Sequence, residues 1–181
     1  MGLRYCIGCD IGKNGAIVIQ DLESGNIVKS VMPVIGNNNN QFDTHELVKI
    51  LESFKGTDCM VVFEDLRAIF GSGAGATFTF GFIAGATEAI IISLGLPYRK
   101  VNAKIWQKMA FAGVPEIRKP NTKDKNGKEI KGKIDTKAMA LVAAKRLYPN
   151  VDLRPTERSK NPHDGIVDAL LMSWYCKQVY K

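Results

Sequence analysis

The sequence predicts an α/β fold in which helices flank a mixed five-stranded sheet. Three apolar strands, at residues 3–10, 15–21 and 26–33, follow one another with only tight turns between them, which indicates an antiparallel meander. A fourth strand ends at Glu64 and a fifth covers 97–101, and a helical pattern precedes each of them. Because a strand, helix, strand connection places its two strands parallel, the sheet combines three antiparallel strands with two parallel ones.

The helices are located by their caps and by the spacing of their apolar residues. Asp43 or Thr44 caps the first helix, whose apolar face includes Leu47 and Leu51 before Gly56 ends it. The remaining helices are predicted at 77–94, at 103–111, from Asp135 or Thr136 to the residue before Pro149, and at 163–179.

Four carboxylates stand where these elements end or begin. Asp10 and Glu64 end two apolar strands, and Asp164 and Asp168 open the last helix four residues apart. Four residues turn a helix by about 40° beyond one full turn, so both acids project from one face. Buried carboxylates that meet repel one another unless a cation lies between them, and hard oxygen ligands suit Mg²⁺, for which Mn²⁺ substitutes. For Asp10 alone, the alternative is a strand-end aspartate that hydrogen-bonds the following turn.

Length and composition predict one globular domain over residues 1–181. Hydrophobic residues make up 45% of the chain and charged residues 24%, and the formal net charge is +7. A basic protein with an acidic cluster suggests a polyanionic substrate, although the charge alone is also compatible with simple solubility. We find no uninterrupted apolar run of membrane-spanning length and no signal peptide pattern. We therefore expect a cytoplasmic protein without a membrane partner.

The segment 113–134 is rich in lysine, and its basic residues outnumber its acidic ones. It has too few apolar residues to form a core, so we expect a mobile insertion that contacts DNA phosphates. The alternative is a solvated loop. The DNA-binding candidates in this segment are Arg118, Lys119, Lys123, Lys125, Lys128, Lys131 and Lys133. Further candidates, chosen for their charge, are Lys104, Lys108, Arg158 and Lys160.

Two other features suggest contacts outside the core. Phe70 lies in a glycine-rich loop, where it either stacks on a base or packs into the protein. The helix at 77–94 has a side of small residues that includes Gly81, Gly85 and Ala89. Small side chains allow another helix to approach closely, so this side either packs within the chain or forms the contact of a homodimer.

Three short motifs in this order carry a resemblance to a known family. They are Gly8-Cys9-Asp10-Ile11-Gly12 with Gly15, Val62-Phe63-Glu64, and His163-Asp164-Gly165-Ile166-Val167-Asp168-Ala169-Leu170. The segments 80–85 and 135–138 match as well. The chain resembles the RuvC-type Holliday junction resolvases of the ribonuclease H-like superfamily, particularly their bacteriophage members. The resemblance extends over about 3–178 and is interrupted by the lysine-rich segment.

The resemblance implies the roles of several site residues. Asp10, Glu64, Asp164 and Asp168 would be catalytic ligands of two Mg²⁺ ions per active site, and Lys137 would lie near the scissile phosphate. Many family members place the last two ligands three residues apart, whereas Gly165 occupies that position here. This departure leaves open whether Asp164 or His163 is the fourth partner in the site.

The activity implied is that of a magnesium-dependent endonuclease in DNA recombination and repair. It would resolve four-way junctions or related branched DNA by paired symmetric nicks that leave 5′-phosphate and 3′-hydroxyl ends, in a bacterial or phage-infected cell. Two cuts require two sites, and one domain offers one site, so a homodimer is implied. One alternative is a ribonuclease H-like nuclease acting on an RNA:DNA hybrid or an rRNA precursor. Another is a non-catalytic DNA-binding module whose acids are structural.

Overall fold

The computed structural model describes residues 2–36, 41–65 and 73–181. The strands, in chain order, are β1 (Tyr5–Asp10), β2 (Ala16–Asp21), β3 (Ile27–Val31), β4 (Val34–Ile35), β5 (Gln41–Phe42), β6 (Cys59–Glu64), β7 (Tyr98–Val101), β8 (Thr122–Lys123) and β9 (Glu129–Ile130). The helices are α1 (Thr44–Glu52), α2 (Ala74–Ser93), α3 (Ala103–Ala110), α4 (Thr136–Leu147) and α5 (Asp164–Tyr180).

The main sheet has the strand order β3-β2-β1-β6-β7. β2 pairs antiparallel with both β1 and β3, whereas β6 pairs parallel with both β1 and β7. The predicted combination of a three-stranded meander and two parallel strands is therefore confirmed. Since β1, β6 and β7 run in the same direction, their carboxyl ends lie at one edge of the sheet, and Asp10 and Glu64 both end there.

Helices cover both faces of this sheet and enclose two cores. Successive strand residues face opposite sides, so Cys6 of β1 packs in one core and Cys9 in the other. The first core contains residues of α3, α4 and α5, and the second contains residues of α1 and α2. The sheet edge that carries the carboxylates is thus held between two packed layers of helices.

Helix α5 lies directly against the central strand. A Cβ atom built on Gly8 would come within 2.0 Å of the Ala169 carbonyl oxygen, a distance that no side chain tolerates. Glycine at this position lets the helix approach the strand closely, and residues of α5 are buried along most of its length. This close contact fixes the start of α5 beside the end of β1.

Helix α2 begins at Ala74, three residues before the predicted start, and much of its surface is exposed. By length and composition it could cross a membrane, with a mean hydropathy of 1.5 and 17% of its apolar window buried. Core helices of soluble proteins and signal sequences meet the same criterion. The run is interrupted by polar residues such as Thr79 and Glu88, so the helix meets the criterion by its average hydropathy and not as an uninterrupted apolar run.

Residues 118–134, which we call the lysine ribbon, form a two-stranded hairpin within the predicted insertion. β8 pairs with β9, and Arg118 forms an isolated bridge with Ile134. At the tip, Asp124 Oδ1 accepts hydrogen bonds from the backbone N–H of Asn126 at 2.9 Å and of Lys128 at 2.8 Å. These local bonds give the hairpin a defined turn without an apolar core. Its mobility stays a prediction.

Candidate active site

Asp10 lies at the carboxyl end of β1, where the chain turns sharply into β2. The turn requires glycine, because a Cβ atom on Gly15 would lie 1.9 Å from the Asp10 carbonyl oxygen. The pKa of the Asp10 carboxyl is raised to about 8. Burial is the largest cause, and the negative charges of Asp168 and Glu64 come next. A carboxylate in this position is strained electrostatically when it is ionised.

Asp168 approaches from the second turn of α5. The pKa of its carboxyl is raised to about 7, mainly by burial and to a lesser extent by repulsion from Glu64 and Asp164. The charge of Lys137 opposes this shift for both Asp168 and Asp10. The structure therefore brings Glu64 and Asp164 near enough to raise the pKa values of Asp10 and Asp168.

Glu64 ends β6 and has a buried hydrogen-bond donor beside it. The indole Nε1 of Trp106 donates to Glu64 Oε1 at 3.0 Å. Burial raises the pKa of Glu64, and the hydrogen bond from Trp106 lowers it in part. One oxygen of this carboxylate is thus engaged by the protein.

Asp164 stands at the rim, where it pairs with Lys137 of α4. Lys137 Nζ donates to Asp164 Oδ2 at 2.6 Å. Asp135 caps α4 by accepting a hydrogen bond from the Ala138 N–H at 3.1 Å, as one of the two predicted caps. This cap sets the first turn of α4, and with it Lys137, against the start of α5.

His163 caps α5. Its Nδ1 accepts a hydrogen bond from the Ile166 N–H at 3.4 Å, the role of an ordinary helix-start residue. Gly165 follows against the β1–β2 turn, where a Cβ atom would lie 2.6 Å from the Asn14 carbonyl oxygen and 2.8 Å from Gly15 Cα. A side chain three residues before Asp168 would therefore collide with the backbone of this turn.

These residues surround an open cavity of about 530 Å³ at the sheet edge. Asp10, Asp164, Asp168, Lys137 and His163 all line it. Glu64 lines a smaller cavity of about 130 Å³, and Ile11 borders both. Glu64 thus flanks the main cavity from the β6 side.

The donor set fits a hard divalent cation. Within residues 2–36, 41–65 and 73–181, no group of three or more His, Cys, Asp or Glu side chains is placed to hold a metal ion by itself. Mg²⁺ does not require one, because it keeps several waters and takes only one or two carboxylates, with substrate phosphates as further ligands. The mutual repulsion of Asp10, Glu64 and Asp168 is the electrostatic condition that a cation relieves.

Comparison with known proteins bears on the fold. No protein-family model matches the chain, and no curated protein sequence matches it. RuvC from Thermus thermophilus is similar in structure, with a TM-score of 0.50, 15% sequence identity and 96% of each chain covered. Thermus thermophilus RuvC in complex with a Holliday junction substrate gives a TM-score of 0.51 at 13% identity, with the same coverage. The chain has a RuvC-like fold. At this level of sequence identity the similarity establishes the fold alone. The chemistry of the site has to be argued from the residues of this chain.

On this RuvC-like fold, the lysine ribbon projects from the segment just before Lys137. The Asp135 N–H donates to the Ile117 carbonyl oxygen at 2.8 Å and closes the base of the ribbon. The six lysines of the ribbon are exposed and form no ion pair with any residue in the described ranges. Lys119 and Lys133 stand opposite each other, since the N–H of Lys119 donates to the carbonyl oxygen of Lys133 at 2.9 Å.

The other charges of the ribbon have local partners. Arg118, predicted to bind DNA, donates from Nε to Glu116 Oε1 at 2.7 Å and from Nη1 to the Gly132 carbonyl oxygen at 3.1 Å. Asn121 Nδ2 donates to Glu129 Oε1 at 3.0 Å. The guanidinium of Arg118 thus stabilises the base of the hairpin, and the lysines carry its exposed charge.

The remaining predicted contacts are distributed over the surface. Lys104 and Lys108 are exposed on α3, and Arg158 and Lys160 are exposed in the loop before α5. Phe70 lies outside the described residues.

The small-residue side of α2 is exposed in the RuvC-like fold. Gly81, Gly85 and Ala89 are all exposed, and a Cβ atom built on either glycine would have open space around it. Large apolar residues continue the same side, with exposed fractions of 76% for Phe78, 54% for Phe82 and 56% for Ile92. We call Phe78, Phe82, Gly85, Ala89 and Ile92 the α2 stripe. Their alternating spacing of four and three residues is that of a helix–helix seam.

Trp106 is the site residue that the sequence did not single out. One feature of the sequence could have identified it. Trp106 lies on the helix that follows the parallel strand β7 at the carboxylate edge, and a buried indole N–H needs a hydrogen-bond acceptor.

Proposed function

We propose that this protein is a metal-dependent, structure-selective DNA endonuclease that cuts four-way junctions or related branched DNA. The observation that carries the proposal is that Asp10 and Asp168, two half-buried carboxylates that repel each other, line one cavity at the carboxyl edge of a RuvC-like sheet. Acids placed for structure alone would find cationic or hydrogen-bonding partners. A pair that destabilises the protein unless a cation binds is typical of a catalytic metal centre.

The residues of the site divide the chemistry between them. Bound Mg²⁺, or Mn²⁺ in its place, would activate water for attack on the phosphodiester and neutralise charge on the leaving 3′ oxygen. Asp10, Glu64 and Asp168 would hold the metal, with Asp164 or His163 as the fourth partner. Lys137, whose ammonium lies at the rim of the cavity, would stabilise the extra negative charge on the phosphate. The products would carry 5′-phosphate and 3′-hydroxyl ends.

Selection of a junction requires two such sites in one particle. The α2 stripe supports a homodimer, because exposed Phe78, Phe82 and Ile92 form an apolar face. A two-fold axis through this face would give two equal sites for paired nicks on opposing strands. The lysine ribbon, Lys104, Lys108, Arg158 and Lys160 would add sequence-independent phosphate contacts. We place this activity in the cytoplasm of a bacterial or phage-infected cell.

The test is cleavage of a labelled immobile four-way junction in Mg²⁺ and in Mn²⁺. A linear duplex and an RNA:DNA hybrid of matching sequence are run beside it, with the Asp10→Asn variant as the inactive control. Paired nicks confined to the junction and absent from Asp10→Asn support the proposal. Preferred cutting of the hybrid would replace it with the ribonuclease H-like alternative, and binding without cutting in either metal would contradict the proposed chemistry.

A further inference from the structure

Trp106 links the core of the protein to one oxygen of Glu64. The side chain is completely buried, and its Nε1 lies 3.0 Å from Glu64 Oε1. An indole has a single polar atom, which only donates. This N–H donates its hydrogen bond to Glu64, 42 positions earlier in the chain.

The direction of the indole is fixed from several sides. The ring of Phe111 packs edge-on against it, with 6.2 Å between the ring centroids. Asn102 caps α3 through the Lys104 N–H at 3.0 Å, so the helix starts directly after β7. At the other end, Arg146 of α4 donates to the carbonyl oxygens of Ala110, at 3.0 Å, and of Ala112.

A purely apolar side chain would fill this part of the core without a polar atom that must be satisfied. Leaving a buried indole N–H unpaired is costly, and the half-buried Glu64 carboxylate supplies the acceptor. The hydrogen bond pairs the indole N–H with Oε1 and restrains rotation of the carboxyl group. Glu64 Oε1 is therefore held by the protein, and the geometry of Oε2 is determined with it.

We propose that Trp106 is a positioning residue that holds Glu64 in the orientation in which its second oxygen binds a divalent cation. The inference rests on the proposed function, in which Glu64 is a metal ligand. Removal of a residue that hydrogen-bonds a metal ligand commonly weakens metal affinity by about 10–100-fold.

The experiment separates the N–H donor from the bulk of the ring. Trp106→Phe removes the donor and shortens the ring system. Replacement of Trp106 by 3-benzothienylalanine, in which sulfur stands in place of the N–H, removes the donor and keeps the shape. Trp174→Phe is the matched control, since Trp174 is half-buried on α5 and forms no hydrogen bond with any described residue.

Two quantities are measured on each full-length protein. Calorimetric titration with MnCl₂ alone gives the metal affinity, and thermal unfolding in EDTA gives the stability without metal. We expect both Trp106 variants to bind Mn²⁺ about tenfold more weakly than the wild type, whereas Trp174→Phe keeps the wild-type affinity. If Trp106→Phe fails to fold, the benzothienyl variant decides.

The inference fails if both Trp106 variants keep the wild-type Mn²⁺ affinity and lose only thermal stability, because Trp106 is then an ordinary core residue. The proposed function survives that result. A wild-type protein that binds no Mn²⁺ would instead contradict the metal site of the proposed function. A Glu64→Gln variant that binds as tightly as the wild type would remove Glu64 from that site, and the role of Trp106 with it.

Discussion

Lys137 and Asp164 join the two helices that border the candidate site. Lys137 Nζ lies 2.6 Å from Asp164 Oδ2, and both side chains remain mostly exposed, at 70% and 62%. An exposed pair of this kind contributes at most about 1 kcal/mol to stability. The pair therefore matters less for folding than for placing an ammonium group at the rim of an acidic cavity.

Lys137→Met should impair cleavage far more than folding. Loss of the ammonium removes charge stabilisation at the phosphate, for which a loss of about 10²–10³-fold in kcat is typical, while the unfolding free energy changes by less than about 1 kcal/mol. Single-turnover cleavage and thermal unfolding measure the two effects. Lys145→Met, an exposed lysine further along α4, is the control. Equal losses in both variants would argue against a specific role for Lys137.

The stability of the metal-free protein should decrease as the pH rises. The pKa of Asp10 is raised to about 8 and that of Asp168 to about 7, so the folded state holds these protons more tightly than the unfolded chain. Their stabilising effect is fully present below about pH 4 and is lost progressively up to about pH 8, a change on the order of a few kcal/mol. Thermal unfolding in EDTA across this range measures it.

The same titration identifies the source of the pH dependence. Asp10→Asn cannot ionise at this position and should unfold at a higher temperature than the wild type at pH 8, with a shallower profile. Mg²⁺ should stabilise the wild type most at pH 8 and Asp10→Asn much less. Asp58→Asn, an exposed acid before β6, should match the wild type. Superimposable profiles for Asp10→Asn and the wild type would refute the electrostatic account.

Removal of the ribbon charge should lower the salt dependence of DNA binding. In an Asp10→Asn background, which prevents cleavage, Lys119, Lys123, Lys131 and Lys133 are changed to Gln together. Each phosphate contact contributes about 0.9 to the slope of log K against log salt, so the magnitude of the slope should fall by up to about 3.6. The control changes Lys49, Lys55, Lys145 and Lys181, which are exposed outside the ribbon. Equal slopes for the two sets would mean that only net charge matters.

A charge placed in the α2 stripe should prevent dimer formation. Phe82→Glu introduces a carboxylate into an apolar seam, and its desolvation opposes association. Light scattering should give the mass of a monomer, and junction cleavage should change from paired nicks to single, uncoupled nicks. Val28→Glu alters an equally exposed apolar residue on β3 and should leave the mass unchanged. A wild-type protein that is monomeric both alone and on junction DNA would rule out the stripe as the interface.

Local patterns predicted the parts of the site that lie on regular elements. Apolar strands ending in acid place Asp10 and Glu64 at one sheet edge, and a spacing of four on α5 places Asp164 and Asp168 on one helix face. Contacts between distant segments have no such periodic signal. The bond from Trp106 to Glu64 depends on how α3 packs after β7, and sequence spacing does not encode that packing.

The lysine ribbon shows a second limit of sequence patterns. Composition indicated a segment without a core, and the hairpin indeed has none. It is held by polar bonds at Asp124 and Asn121, together with a glycine at 132, where a Cβ atom would lie 1.7 Å from the Lys119 carbonyl oxygen. Counting apolar residues does not reveal bonds of this type.

The position of the acid at the start of α5 should be fixed by the β1–β2 turn. Moving it to the three-apart spacing, with Asp164→Gly and Gly165→Asp together, places a side chain where a Cβ atom already lies 2.6 Å from the Asn14 carbonyl oxygen. We expect a loss of at least about 2–3 kcal/mol in unfolding free energy, and Gly165→Ala alone should show most of it. Gly75→Ala in α2, where a Cβ atom meets nothing within 4 Å, should be neutral or slightly stabilising. Denaturant unfolding compares them, and a stable, active double variant would show that the turn yields and that the spacing has another cause.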